Sequence, residues 1–251
     1  MASRKRPWQV VNPDPMTPQT PETSETGHRQ TRYMPPAGAT EFILARHGAS
    51  EPYVPGQLFP LVEGHGDPAL SDEGQAQAVL LGQRLVSEKV DAVYVTNLRR
   101  TAQTVAPFLA ASGLQAGVVR DLREIYLGDW EGGRLREFAA QAHPTWAKVV
   151  ADGEWGHIPN AETSAQLQNR CVAALQRLHA AHASQRVLCV VHGGVIGALL
   201  AYAAASKERT FDGSDNCSLH TIVVLGNTWQ LRRFNDTAHL DYAVKTWHRR
   251  S

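Results

Sequence analysis

The sequence is poor in cysteine and has no long apolar run, and both shortages exclude whole classes of protein. Its three cysteines, Cys171, Cys189 and Cys217, are odd in number and far apart in a chain of 251 residues. Their spacing excludes a disulfide framework and a Cys-x-x-Cys zinc or redox pair, so we interpret them as small buried residues in a reducing compartment. No apolar stretch approaches the roughly 18 residues that a membrane-spanning helix needs.

The chain also lacks an excess of charge of either sign. Its 25 Lys and Arg residues balance 24 Asp and Glu, which gives a formal net charge of +1. This balance gives no reason to expect nucleic acid or a membrane surface as a partner. The basic residues 3–6 are not followed by the apolar core of a signal peptide, so we expect a cytoplasmic protein.

Two parts of the chain differ in composition. Residues 1–39 are crowded with Pro, Thr, Gln and Glu and show no periodic apolar face. Such a segment cannot offset the entropy of ordering by burial, so we predict a disordered or loosely attached tail. An alternative is a tail that docks on a partner or on a second subunit. Residues 40–251 are long enough for one α/β domain with a sizeable core.

From residue 41 onward, strand-like apolar runs alternate with helix-like segments. Strands are predicted at residues 42–45, 90–95, 117–120, 187–191, 220–225 and 229–234. Helices are predicted at residues 72–88, 98–109, 134–142, 163–182 and 195–205. The last two strands form a hairpin at Gly226-Asn227. Strands separated by helices favour a mostly parallel sheet covered on both faces, so we predict a three-layer α/β/α fold.

Three of these strands end in residues that can bind an anion. The runs are RHG at residues 46–48, TNLRRT at residues 96–101 and HGG at residues 192–194. In open α/β sheets, ligands bind beyond the carboxyl ends of the strands. Glycine lets the backbone approach a ligand closely, and helix N-termini at two of these places favour negative charge. Planar guanidinium groups, imidazoles and backbone N–H donors together suit a phosphoryl group.

The order of these motifs resembles that of the histidine phosphatase superfamily, also called the phosphoglycerate-mutase-like family. The similarity extends from about residue 41 to residue 240 and includes six segments. They are RHG at 46–48, DPALSDEGQAQA at 67–78, TNLRRTAQT at 96–104, LREIYLGDWEG at 122–132, VHGG at 191–194 and FNDTAHL at 234–240. The resemblance implies a phosphoglycerate-mutase-like fold and a phosphatase that acts on small-molecule phosphomonoesters without a metal ion or another cofactor.

The resemblance also assigns roles to individual residues. It implies that His47 attacks phosphorus and becomes phosphohistidine, and that the carbonyl of Gly48 fixes its other ring nitrogen. Glu124 aligns with the residue that protonates the leaving oxygen and then activates water. The remaining implied ligands of the phosphoryl group are Arg46, Arg100, His192, Ser50 and Gly193.

Other residues of the motifs leave alternatives open. Glu162 aligns with a segment that often shapes the pocket, so contact with substrate is possible on the resemblance alone. We expect Glu131 to have a packing and capping role rather than the role of the acid. We expect His65 to be a loop residue rather than a ligand. Ala49 stands where the family often has Glu. Residues 50–66 are rich in Pro and Gly, and we expect this loop to cover the pocket and decide specificity.

Three functions fit the motifs. The first is a phosphatase of the kind described above. The second is a phosphoglycerate-type phosphomutase, against which Gly193-Gly194-Val195 and the segment GDWEG at 128–132 argue because both are phosphatase-like. The third is a non-catalytic phosphate-binding module. A homodimer is common for the fold and is an expectation here.

Overall fold

The computed structural model describes residues 30–240, and the fold lies within residues 35–240. Its strands are β1 (Thr40–Arg46), β2 (Leu61–Val62), β3 (His65–Gly66), β4 (Ala92–Val95), β5 (Ala116–Val118), β6 (Arg186–Val191), β7 (Leu219–Leu225) and β8 (Thr228–Asp236). Its α-helices are α1 (Asp72–Val86), α2 (Arg99–Ser112), α3 (Arg134–Ala140), α4 (Pro144–Asp152), α5 (Ser164–Ala181) and α6 (Gly193–Ala203). None of the helices described is long and apolar enough to cross a membrane.

Six strands form one sheet in the order β5-β4-β6-β1-β7-β8. The first four are parallel to one another, β7 runs against β1, and β8 runs against β7. The predicted α/β fold with a mostly parallel sheet is confirmed. The closing pair is antiparallel because the turn between β7 and β8 spans two residues, which is too short for a parallel crossover.

Alternate side chains of each central strand pack on opposite faces of the sheet. In β1, Phe42 and Leu44 join the cluster formed with α5 and α6, whereas Ile43 and Ala45 join the cluster formed with α1 and α2. This alternation follows from the two-residue period of a strand. The helices therefore cover both faces, and the sheet with its two helical layers forms the three predicted layers.

A segment between β5 and α5 carries α3 and α4, and a third apolar cluster holds it together. Trp130, Val149 and Ile158 are buried there. We did not predict α4 from the sequence. Its start carries a recognisable signal, since Pro144 occupies the first turn and the His143 side chain accepts a hydrogen bond from the Thr145 N–H.

The predicted bounds of the elements differ from the observed ones by a few residues. The helix predicted at residues 98–109 extends to Ser112. The strand predicted at residues 117–120 is corrected in kind as well, since β5 ends at Val118 and Arg120 begins a single 3₁₀ turn. Residues 1–29 of the predicted tail lie outside the described residues. Its last residues are joined to the fold, since Ala39 is buried and the Gly38 N–H donates to Ser184 Oγ at 2.8 Å. The domain boundary at residue 39 stays a prediction.

Candidate active site

The carboxyl ends of β4, β6 and β1 meet at one edge of the sheet because these strands are adjacent. His47 follows β1 directly and His192 follows β6 directly, and their ring centroids lie 5.2 Å apart. Arg100 belongs to the first turn of α2, which follows β4. The sheet therefore brings together the groups that the motifs predicted. We call Arg46, His47, Arg100, Glu124 and His192 the floor of the site.

His47 is buried, with 6% of its surface exposed, and one ring nitrogen is fixed. Its Nδ1 lies 2.8 Å from the carbonyl oxygen of Gly48. A carbonyl only accepts, so Nδ1 carries the proton and Nε2 carries the lone pair of the neutral ring. Burial, and after it the charges of Arg100 and Arg46, hold the pKa of His47 well below its usual value.

The loop after His47 is pressed against the start of α1. A Cβ added to Gly48 would lie 2.6 Å from the carbonyl oxygen of Gly74, and a Cβ added to Gly74 would lie 1.9 Å from that of Ala49. Glycine is therefore required at both positions for steric reasons. On the other side of His47, the Asn216 side-chain NH₂ donates to the His47 carbonyl at 2.9 Å. The backbone that carries the imidazole is thus held from two directions.

The two arginines of the floor differ in burial, since Arg100 is buried and Arg46 is partly buried. Arg46 Nη1 donates to the carbonyl of Ser214, while its Nε is buried and has no hydrogen-bond partner among the described residues. Arg100 Nη1 donates to the carbonyl of Gly66 at 2.9 Å. Burial lowers the pKa of Arg100 to about 10 and also lowers that of Arg46. Both guanidinium groups still carry their charge at neutral pH.

His192 is completely buried and has one bonded and one unbonded ring nitrogen. Its Nε2 lies 3.0 Å from Thr96 Oγ1, and its Nδ1 has no partner within the described part of the chain. The neighbouring Thr101 hydroxyl donates to the Leu98 carbonyl at 2.8 Å, so the Thr96 hydroxyl proton is left for Thr101 Oγ1 or for the imidazole. Burial, then the charges of Arg100 and His47, lower the pKa of His192 well below its usual value.

The Glu124 carboxylate sits at the N-terminus of α6. It accepts hydrogen bonds from the N–H groups of Gly194 at 3.1 Å and Ile125 at 3.0 Å. A Cβ added to Gly194 would lie 2.6 Å from Glu124 Oε1, so this approach needs glycine. The negative charge of Glu124 raises the pKa of both Arg46 and Arg100, against the effect of their burial. The charge of Glu124 therefore acts on both arginines of the floor.

A cavity of about 370 Å³ opens above these groups. Its lining includes Arg46, His47, Arg100 and Glu124 of the floor. Its upper part, which we call the wall, is formed by Ser50, Phe59, His65, Leu135 and Arg136. The volume falls within the range of small-molecule sites, and its mixture of apolar walls with a few convergent polar groups is typical of them.

The structure places the remaining predicted residues in different surroundings. Ser50 lines the cavity, and its Oγ accepts a hydrogen bond from Arg136 Nη2 at 2.7 Å. Gly193 begins α6 beside Arg46, whose Nε would lie 3.5 Å from an added Cβ. Glu131 caps as expected, since it accepts from the Gly66 N–H at 2.7 Å. These contacts keep Ser50 and Gly193 next to the floor.

The structure bears on two residues for which the motifs left alternatives open. Glu162 does not line the cavity of the floor, because its carboxylate pairs with Arg170 at 2.6 Å and accepts from the Tyr126 N–H at 3.2 Å. His65 does line that cavity, although we expected a plain loop residue. Sequence reasoning also missed Arg136 and Asn216, for which no motif gave a signal.

Within residues 30–240, the His, Cys, Asp and Glu side chains form no group of three or more that could hold a metal ion. The three cysteines are free and buried, as expected. Burial raises the pKa of the Cys217 thiol to about 12, and that of Cys171 and Cys189 likewise. Their thiols are therefore uncharged at neutral pH.

Comparisons with known proteins agree with this geometry. The family model of the histidine phosphatase superfamily (branch 1) matches residues 42–237. Phosphoglycerate mutase-like protein 4 of Arabidopsis thaliana is 32% identical over 206 residues, which cover 80% of this chain and 87% of that protein. The metal-independent phosphoserine phosphatase of the same plant is 27% identical over 205 residues, covering 80% and 83%.

A solved structure is similar over nearly the same region. The mycobacterial glucosyl-3-phosphoglycerate phosphatase superimposes with a TM-score of 0.67 at 25% identity, over 79% of this chain and 100% of that one. The matched proteins thus include phosphatases and mutase-like proteins. The superposition shows that the fold is shared.

Proposed function

The chain belongs to the histidine phosphatase superfamily, and we propose that it is a phosphatase that hydrolyses small phosphomonoesters through a phosphohistidine intermediate without a metal ion. The residues proposed to act are those of the floor, with Ser50 and Gly193 as further phosphoryl ligands. The alternatives are a phosphoglycerate-type phosphomutase and a non-catalytic phosphate-binding module. The proposed hydrolysis needs no partner other than its small-molecule substrate. The homodimer and the cytoplasmic location remain predictions.

One observation carries the proposal. Two nitrogen atoms in the site are buried without a partner among the described residues, Arg46 Nε and His192 Nδ1, and both belong to residues next to His47. A buried polar atom left unbonded costs about 1–3 kcal/mol, so these atoms favour a ligand that supplies acceptors. A phosphoryl group has three acceptor oxygens and a charge that the guanidinium groups of Arg46 and Arg100 complement.

In the first step, His47 Nε2 attacks phosphorus in line with the leaving oxygen. The P–O bond to the alcohol breaks as the P–N bond forms, and Glu124 in its acid form gives its proton to the leaving oxygen. Arg46, Arg100 and His192 stabilise the charge that spreads over the phosphoryl oxygens in the transition state. The hydrogen bond from Nδ1 to Gly48 holds the ring so that Nε2 points its lone pair outward.

In the second step, water attacks the phosphohistidine. Glu124, now a carboxylate, takes a proton from that water, the P–N bond breaks, and inorganic phosphate leaves with His47 neutral again. The N-terminus of α6 favours the charge that Glu124 carries in this step, because the Gly194 N–H donates to it. Two displacements with one acid–base group thus complete the cycle.

An assay with p-nitrophenyl phosphate, with and without EDTA, tests the proposal beside a 3-phosphoglycerate isomerisation assay. Release of phosphate that survives EDTA is the expected result. Isomerisation without release of phosphate would instead identify a phosphomutase. Tight phosphate binding with neither reaction, over a panel of phosphoesters, would identify a binding module. Orthovanadate, which mimics a pentacoordinate phosphorus, should inhibit the hydrolysis.

A further inference from the structure

Arg136, a cation of the cavity wall, takes no part in the two reaction steps proposed above. Arg136 stands on α3 and lines the cavity. Its guanidinium carbon lies 5.2 Å from the centroid of the Phe59 ring, and Nη1 and Nη2 donate at 2.7 Å to the Glu51 carbonyl and to Ser50 Oγ. Ser50 is only three residues after His47, so this guanidinium group is held beside the reactive histidine.

Arg136 is bound by neutral oxygens rather than by a carboxylate. Other arginines near the cavity do have acidic partners: Arg99 pairs with Asp67, and Arg120 and Arg123 pair with Glu63. No ion pair joins Arg136 to an acidic side chain within residues 30–240, and the adjacent Glu137 accepts from the Tyr53 hydroxyl instead. Arg136 is an exposed residue, but partial desolvation of its side chain, and after it the charge of Arg46, lowers its pKa.

The phosphoryl group and the two carboxylates that line the cavity can each be paired without Arg136. A phosphomonoester carries up to two negative charges near neutral pH, which the two arginines of the floor neutralise. Of the two carboxylates that line the cavity, Glu131 is occupied by the N–H groups of Gly66 and Leu127, and Glu124 must hold a proton in the first step. Neither carboxylate contacts Arg136, and its exposed guanidinium therefore remains open to a second anionic group of a ligand.

We propose that Arg136 binds a second anionic group of the substrate, so that the site prefers phosphomonoesters with a carboxylate or another acidic group close to the ester. This inference rests on the proposed phosphatase function and adds its substrate class. Three N–H groups of the guanidinium remain after the bonds to Ser50 and Glu51, enough for a two-pronged contact with a carboxylate. The stacked Phe59 ring and the two neutral acceptors fix the plane of the guanidinium, which limits the entropy lost on binding.

The competing explanation is purely structural, because the same bonds tie α3 to the loop after His47. Pairs of substrates that differ by one carboxylate separate the two. O-phosphoserine is phosphoethanolamine with an added carboxylate, and 3-phosphoglycerate is glycerol 3-phosphate with its terminal CH₂OH replaced by one. A structural tether affects both members of a pair alike, whereas a contact with the second anion affects only the acidic member.

The experiment measures kcat/KM of the full-length chain for both pairs, in the wild type and in Arg136→Met. The wild type should prefer the acidic members, and Arg136→Met should lower kcat/KM for these by about 10- to 100-fold, the usual loss for a charged hydrogen bond. Their counterparts without the carboxylate should change less than about threefold. Arg136→Lys should keep part of the preference, because lysine keeps the charge but loses the planar fork.

Arg134→Met is the matched control. Arg134 lies on the same helix and donates to the Asp129 carbonyl at 3.1 Å, but it does not line the cavity. It should leave the preference for acidic substrates unchanged. Equal losses on both members of a pair in Arg136→Met, or a wild type with no preference for the acidic member, would overturn the proposal.

Calorimetric binding of the same four esters to His47→Ala separates this inference from the proposed function. Tighter binding of the acidic members that disappears when Arg136→Met is added supports the second-anion contact, even if the wild type hydrolyses none of the four. Hydrolysis by the wild type without an Arg136-dependent preference contradicts the contact and leaves the phosphatase proposal standing.

Discussion

The floor and the wall of the cavity are built in different ways. Four of the floor residues end or directly follow a strand or begin a helix, whereas Glu124 lies in the segment after β5 and reaches the N-terminus of α6. All of them but Arg46 and Glu124 are almost completely buried. The wall comes from residues 50–66 and from the short α3, and its charged residue Arg136 is exposed. The difference indicates that the sheet fixes the groups proposed to act on phosphorus, whereas the loop and the peripheral helix belong to the kind of surface segment that varies most readily.

Replacing one histidine from each region should show the largest contrast. His47→Ala removes the proposed nucleophile, so turnover of p-nitrophenyl phosphate should fall by more than about 10⁴-fold. His65→Ala removes a wall histidine whose Nδ1 lies 3.2 Å from the Glu63 carbonyl, and turnover should fall less than about tenfold. Circular dichroism checks that both variants fold. Comparable losses of turnover in His47→Ala and His65→Ala would show that floor and wall histidines do not differ in role.

The role of Glu124 can be isolated by changing the leaving group. Glu124→Gln keeps the shape of the side chain but cannot give up a proton, so hydrolysis of alkyl phosphates should fall by about 10²–10⁴-fold. Hydrolysis of p-nitrophenyl phosphate should fall less, because its leaving group needs little protonation. Asp129→Asn, at an exposed neighbour bonded to Asn160, serves as the control. Equal losses for both kinds of ester would argue against the acid role.

Replacing Thr96, which contacts the floor residue His192, should lower kcat less than replacing a floor residue itself. Thr96→Val removes the hydroxyl that faces His192 Nε2, so the imidazole is no longer fixed in one tautomer, and kcat should fall by about tenfold. Thr96→Ser retains the hydroxyl and should restore most of the rate. Nitrogen-15 NMR of His192 reports the tautomer directly. Unchanged tautomer and rate in Thr96→Val would show that other contacts position this ring.

The pH profile should show the smallest effect. The pKa of His47 lies well below its usual value near 6.5, so the ring is still neutral and nucleophilic where an ordinary histidine is half protonated. Protonation of the nucleophile therefore begins only below pH 6.5, and kcat/KM should be retained as the pH falls from 7.5 to 6.5. Rates measured between pH 5 and 8 test this. The prediction would be contradicted if half the activity were lost at or above pH 6.5 and NMR showed that the His47 ring is protonated over the same pH range.

The sequence predicted the floor better than the wall for a physical reason. His47 and His192 follow buried strands directly, so the local pattern of an apolar run followed by His and Gly already determines their position. Arg136 is an exposed side chain on a seven-residue helix, and its role depends on contacts with residues 50 and 51, some 85 positions away. No local pattern records such a contact.

The same reasoning explains why the sequence left Glu162 open and missed α4. Glu162 is adjacent to a capping Thr163 and looks like a pocket residue, but Arg170, eight residues further on, takes its carboxylate. The helix α4 escaped prediction because its apolar face is a pair of residues that pack with Trp155 and Ile158 in a small cluster outside the main core. In both cases the contacts that determine the role of the residue or helix come from residues outside the short sequence pattern itself.

Transfer of the phosphoryl group to His47 is the central claim, and rapid quenching tests it most directly. The chain is mixed with a ³²P-labelled phosphoester, quenched in alkali within milliseconds, and digested for peptide mapping. The account predicts label that is stable in alkali and labile in acid on the peptide with His47, and none in His47→Ala. Steady turnover of the substrate with no label on that peptide would contradict it.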